Sequence, residues 1–168
     1  MGLFPGLDEA ADAGAEIRAT LPDAGAAAVR AFGEQTFSDA SGKTVGHETK
    51  LLPAASSFDL RGAIALIRKH GGIAIAAHVD RPSFSVLSQL GVIPSDCGFD
   101  ALEVAMKPAN RDKLPGIAAM GLPVIASSDA HFLADVGTPR TFLQARSQSF
   151  RELSLALRCA GGRRCWHA

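Results

Sequence analysis

The chain has 168 residues, 47% of them hydrophobic, and its seventeen basic residues are balanced by seventeen acidic ones. That length and apolar content fit one globular domain with a real core and exclude a disordered tail. Zero formal charge gives no overall field to recruit nucleic acid or an acidic membrane, and little protection against self-association. The exception is the stretch Arg158 to His167, which holds three arginines. The N-terminus, Met1-Gly-Leu-Phe-Pro5, has no basic region followed by a long apolar segment, and no run approaches membrane length. The expected compartment is therefore the cytoplasm. Three cysteines, an odd count, suggest no disulfide framework. Cys159, Cys165 and His167 match no common zinc knuckle, so the tail reads as exposed and irregular.

In chain order, Glu16–Leu21 alternates polar and apolar residues and reads as a strand. Pro22 ends it, and Asp23 can cap a helix over Ala24–Phe32. Asp39-Ala-Ser-Gly-Lys43 reads as the turn of a small hairpin with arms Thr36–Ser38 and Thr44–Val45, an excursion outside the main layers. A helix opens at Ser56–Asp59, buries Ala63, Ile64 and Ile67, and stops at Gly71-Gly72. Ile73–Ala77 follows as a buried strand. A short helix from Pro82-Ser83 to Leu90, the strand Phe99–Val104, a helix Arg111–Met120 shortened at Pro115-Gly116, the strand Leu122–Ala126 and a last helix Phe150–Arg158 complete the pattern. From residue 58 onward the strand–helix unit repeats three times. Such alternation argues for parallel strands with helices outside, in a single domain over residues 1–168.

The chemistry-bearing residues sit where the apolar runs end. His78 closes the run Gly72–Ala77 and leads into Asp80, Arg81 and Pro82. It reads as a satisfied structural histidine or, with a carboxylate and a guanidinium beside it, as part of an anion site. Ser127-Ser-Asp-Ala-His131 follows the next-but-one strand. In an extended segment Asp129 and His131 project to the same side and can reach one ion, an oxygen donor beside a nitrogen donor. The alternative is a helix cap at Asp129 with His131 facing water. Glu103 ends the strand between them and either orients a liganding histidine, as Asp80 can, or pairs with Arg111 or Lys107 on the rim. Taken alone, Asp8 is a helix N-terminal acid and Glu16 a solvent-facing strand residue, while His47 and His70 read as structural or exposed. No Gly-x-Ser-x-Gly elbow and no phosphate-cradling glycine loop is present, and basic residues do not interleave with aromatics as nucleic-acid platforms require.

Three pieces, in order, resemble the PHP (polymerase and histidinol phosphatase) family of metal-dependent phosphoesterases: Gly71–Pro82 around His78, Gly98–Val104 around Glu103, and Ser127–His131 with Gly137 after it. Phe4-Pro-Gly-Leu-Asp8 is similar to the family segment that usually ends in glutamate. The resemblance covers most of residues 4–145. It implies an irregular (β/α) barrel with two or three divalent ions (zinc, manganese or iron) at the carboxyl ends of the strands, hydrolysing phosphate monoesters or phosphodiesters. By position His78, Asp129 and His131 would be metal ligands, Asp8 would stand for the bridging glutamate, and Glu16 falls near a family histidine. Arg81 would grip the phosphate of a phosphorylated small molecule or nucleotide.

The departures from the family are as specific. No His-x-His exists in the chain, which begins only seven residues before Asp8. The expected fold is thus an α/β, partial, irregular (β/α) barrel of the PHP type lacking its first strands, with the hairpin as an excursion. A barrel so opened exposes edges. Another copy covers them, or the rest of a longer protein does, or the chain is a decayed relative. Two functions follow as expectations: a divalent-metal phosphoesterase with little or no turnover as this chain, and a non-catalytic binding or assembly module on the same scaffold.

Overall fold

The structure, a computed structural model, describes residues 1–105 and 112–167. The strand β1 (Gly2–Leu3) leads into the helix α1 (Leu7–Thr20), then α2 (Ala26–Phe32) and the hairpin β2 (Thr36–Ser38) and β3 (Thr44–His47). Next come α3 (Leu60–Lys69), β4 (Ile73–Ala76), α4 (Val86–Leu90), β5 (Ala101–Val104), α5 (Leu114–Ala118) and β6 (Val124–Ala126). The chain closes with β7 (Thr141–Gln144), α6 (Phe150–Leu157) and β8 (Arg164–His167).

β4, β5 and β6 are parallel neighbours, with Ile75 opposite Ala101 and Leu102 opposite Val124. β1 lies antiparallel on the outer side of β4, with Leu3 opposite Ile73. The pleat then sorts side chains onto two faces. Ala74, Ala76, Leu102, Val104 and Ala126 pack against α3, α4 and α5 through residues such as Ile64, Leu87 and Ile117. Ile73, Ile75 and Ala101 meet Leu157, Leu153 and Phe150 of α6 and Cys165 of β8. Both faces of β4 and β5 are therefore buried, which is why their sequences read as continuous apolar runs. The architecture is α/β with mixed sheets, and among the described strands no sheet closes into a barrel.

The helices start and stop for local reasons. Asp59 caps α3 by accepting the Gly62 N–H at 2.7 Å, and Ser85 caps α4 in a reciprocal box with Ser88. Gly91 ends α4 in the left-handed conformation that glycine adopts freely. Gly72 admits a close approach, since a Cβ there would meet the Ile67 and Leu3 carbonyl oxygens at 2.9 Å. The expected hairpin is present, and α5 is cut to Leu114–Ala118 beside Pro115. Arg111, expected to begin that helix, lies outside the described residues.

Three expectations are corrected. Glu16–Leu21 is the end of helix α1 and its cap, not a strand. Its alternation is short, and it continues an alanine-rich run opened by Asp8 and Glu9, which favours helix over the whole span. Asp23 does not cap α2, which starts at Gly25 without a side-chain cap, because the carboxylate is engaged by Lys50 Nζ at 2.8 Å. The C-terminal stretch is not an irregular tail. It forms β8, paired with β7 from Thr141 opposite His167 to Gln144 opposite Arg164.

What fixes that stretch is an ion pair. Glu152 of α6 accepts hydrogen bonds from Arg163 Nε at 2.9 Å and Nη2 at 2.6 Å, and from the Arg146 N–H at 2.8 Å. The Arg163 guanidinium, helped by that N–H, pulls the carboxyl from 4.5 down to about 2. A carboxylate lowered in the fold contributes stability that is complete above its unfolded pKa and is lost as pH falls through the folded one. Glu48 is likewise held at about 2 by Arg18. The thermal midpoint should therefore fall between pH 4.5 and about 2, and Glu152→Gln should flatten part of that fall. Superimposable pH profiles for the two proteins would contradict the role given to Glu152.

Candidate functional site

The three parallel strands end side by side, and their ends are laced through Glu103. This residue is 6% exposed and lies on the α6 side of β5, opposite Ile125. One carboxylate oxygen accepts the His78 N–H at 2.9 Å, and the other accepts the Ser127 hydroxyl. The backbone repeats the tie: the Val79 N–H donates to the Glu103 carbonyl at 2.8 Å, and the Ser127 N–H to the Val104 carbonyl at 3.2 Å. Asp80, fully buried, accepts the Ala105 N–H at 2.9 Å. Lys113 Nζ donates to the Asp80 carbonyl at 2.9 Å.

His78 and Asp129 both leave their strands in left-handed backbone, at φ 32° and 44°. Non-glycine residues rarely adopt this region, and they hold it where the surroundings over-determine them. Here the surroundings include Arg81, whose Nη1 donates to Asp129 Oδ2 at 2.7 Å. The left-handed turn at Asp129 also breaks the alternation that was to put Asp129 and His131 on one side. His131 is exposed, and its Nδ1 meets the Asp129 carbonyl at 2.9 Å. His78 Nδ1 is buried and has no hydrogen-bond partner among the described residues.

Asp8 and Glu16 do not join this corner. β1 runs against β4, so the chain passes Ile73 at Leu3 and leaves the sheet at the end opposite His78. Asp8 follows there, exposed in the first turn of α1. Glu16 binds Lys69 Nζ and His70 Nε2, each at 2.7 Å, where α3 ends before β4 begins. These two contacts, Lys69 first, lower its carboxyl pKa. His70 thus has a definite partner, and His47 lies 3.6 Å from Glu34 on the hairpin. Lys107 and Arg111, the rim partners considered for Glu103, lie outside the described residues.

The donor set does not fit a centre of two or three metal ions. Among the described residues no three His, Cys, Asp or Glu side chains are grouped so as to hold an ion. Residues 106–111 contain none of these four types. Asp129 is engaged by Arg81, and both Glu103 oxygens by His78 and Ser127. Ser127 is the participant that the motif reading missed. Ile125 opposes Glu103, and Ser127, just past the end of β6, falls on the same face, a register that the sequence alone does not give.

Comparison with known proteins agrees with this frame at a coarse level. Residues 107–160, about a third of the chain, match the family described as PHP_C, PHP-associated. The fold matches the crystal structure of the novel lesion-specific endonuclease PfuEndoQ from Pyrococcus furiosus, with a TM-score of 0.66 and 16% identity. The match covers 98% of this chain and 36% of that one, so the chain spans about a third of the length of that protein. No curated protein matches the chain. At this identity the structural likeness speaks to the fold. The family match itself is confined to residues 107–160.

The energetics of the corner can be ranked. Glu103→Ala leaves the His78 N–H and the Ser127 hydroxyl without their acceptor, at a cost of about 1–3 kcal/mol. Arg81→Ala breaks a pair whose partners are 29% and 20% exposed. It should cost no more than about 1 kcal/mol. Urea unfolding of the two variants should give that order. The reverse order would mean that the ion pair, not the buried carboxylate, holds the strand ends.

Proposed function

We propose that this chain is a non-catalytic, PHP-like binding or assembly module, built on the scaffold of a divalent-metal phosphoesterase. The observation that carries this reading is the pairing of Asp129 with Arg81 at 2.7 Å. A guanidinium occupies the carboxylate that the resemblance assigns to a metal, and it brings positive charge to that corner without any ion. Both oxygens of Glu103 are turned to protein partners in the same way, and among the described residues no three donors are grouped to hold an ion. No described helix is long and apolar enough to cross a membrane.

One observation favours the second reading, a phosphoesterase using zinc, manganese or iron. His78 Nδ1 is buried without a partner among the described residues, and such a nitrogen is costly unless something binds it. In that reading His78, Asp129 and His131 would hold metal, and Arg81 would release Asp129 to take the phosphate of a small molecule or nucleotide.

A single set of assays separates the two. The purified chain is stripped with chelator and dialysed against micromolar zinc or manganese, then offered a chromogenic phosphate monoester with manganese present. The module should retain no stoichiometric metal and show no turnover above buffer. Stoichiometric metal, with turnover abolished by His131→Ala, would establish the phosphoesterase instead.

A further inference from the structure

The pairing of β7 with β8 joins residues that the sequence keeps twenty or more positions apart. Phe142 lies opposite Trp166, and Gln144 opposite Arg164. Alternation puts these four on one face of the ribbon, whereas Cys165 turns inward to the cluster of Ile73, Ile75 and Leu157. On the outer face the Phe142 and Trp166 rings stack at 5.7 Å with 17° between their planes. The Arg164 guanidinium carbon sits 5.4 Å from the Trp166 ring centre, and its Nε donates to Gln144 Oε1 at 2.8 Å. The two rings remain 42% and 45% exposed.

Charge gathers in the same part of the chain. Residues 137–168 hold six arginines and one acidic residue, Glu152, although the chain as a whole is neutral. Arg163 is engaged by Glu152, and Arg158 lies 3.5 Å from Asp100. Arg146 and Arg164 have no ion pair among the described residues. Arg146 follows β7 by two residues, at the end of the ribbon where Gln144 meets Arg164. An open aromatic stack beside the guanidinium of Arg164, which has no ion pair among the described residues, has the two elements of a single-strand platform: faces on which bases stack and a cation for the phosphates.

We infer that the outer face of the β7–β8 ribbon binds single-stranded nucleic acid. Unpaired bases stack on Trp166 and Phe142, while Arg164 contacts the backbone. A duplex keeps its base faces in its own stack and offers this platform less. Contacts of this kind read neither base sequence nor sugar, so DNA and RNA strands bind alike. The inference rests on the module reading only in supplying the partner of a binding protein. None of its residues belongs to the corner of His78, Glu103 and Asp129.

Trp166 is the only tryptophan, so its fluorescence reports on the platform directly. The full chain is titrated with single-stranded oligothymidylate and oligouridylate of about a dozen nucleotides, long enough for one such site. Both should quench Trp166 saturably, more tightly than a duplex of equal length, and the affinity should fall steeply with added salt. Arg164→Gln should weaken binding several-fold and flatten the salt dependence. By anisotropy of a labelled strand, Trp166→Phe should bind as the native chain does, and Trp166→Leu about tenfold more weakly. Four results would overturn the inference: no quenching, quenching indifferent to salt and to Arg164→Gln, a preference for duplex, or a fluorescence change that follows protein concentration alone. The last would mean that a second copy covers the ribbon. Quenching by oligonucleotide in a chain that also turns over phosphate ester with metal would remove the non-catalytic reading and keep this one. No quenching and no turnover would do the reverse.

Discussion

The arrangement of this molecule depends on one buried carboxylate. Glu103 sits at the end of the central parallel strand, almost without solvent, and its two oxygens take a backbone N–H from the chain after β4 and a hydroxyl from the chain after β6. A carboxylate in such a place is tolerable only when its lone pairs are satisfied. The demand is therefore mutual: burial of Glu103 requires His78 and Ser127 where they are, and they bring the two flanking strand ends onto the middle one. The Val79 and Ser127 amides continue the same lacing along the backbone, and the buried Asp80 adds a contact to Ala105.

The chemical character of the corner follows from how the chain leaves that lock. At His78 and Asp129 it turns left-handed, so the side chains no longer follow the alternation of the strands before them. Asp129 meets Arg81, His131 turns outward, and His78 keeps a buried nitrogen without a partner among the described residues. In parallel α/β sheets ligands sit at the carboxyl ends of the strands. Here the carboxylates at that end serve the protein's own donors.

Much of the frame was legible in the sequence, and the limits have physical causes. The run from α3 to β6 could be read because burial on both faces leaves continuous apolar strands, and because Asp59, Gly72 and Gly91 mark helix and strand ends by capping and conformation. Helix α1 was misread because six alternating residues cannot outweigh the helix propensity of the alanine-rich run they end. β8 was hidden because its stability comes from β7 and from the Arg163–Glu152 pair, both distant in sequence. At the corner, the positions of His78, Glu103 and Asp129 were readable from where the apolar runs stop. Their partners were not, since a left-handed residue redirects its side chain in a way that no spacing rule records. The aromatic stack on the ribbon escaped notice for the reason that hid β8.

The central claim is that the corner is closed by its own side chains, with Arg81 standing where a metal would be expected. Anomalous diffraction at the zinc edge, from crystals grown with zinc, tests it most directly. The account predicts no anomalous peak at His78 and Asp129, with Arg81 still bonded to Asp129. A peak bridging those two residues, with Arg81 swung away, would contradict it.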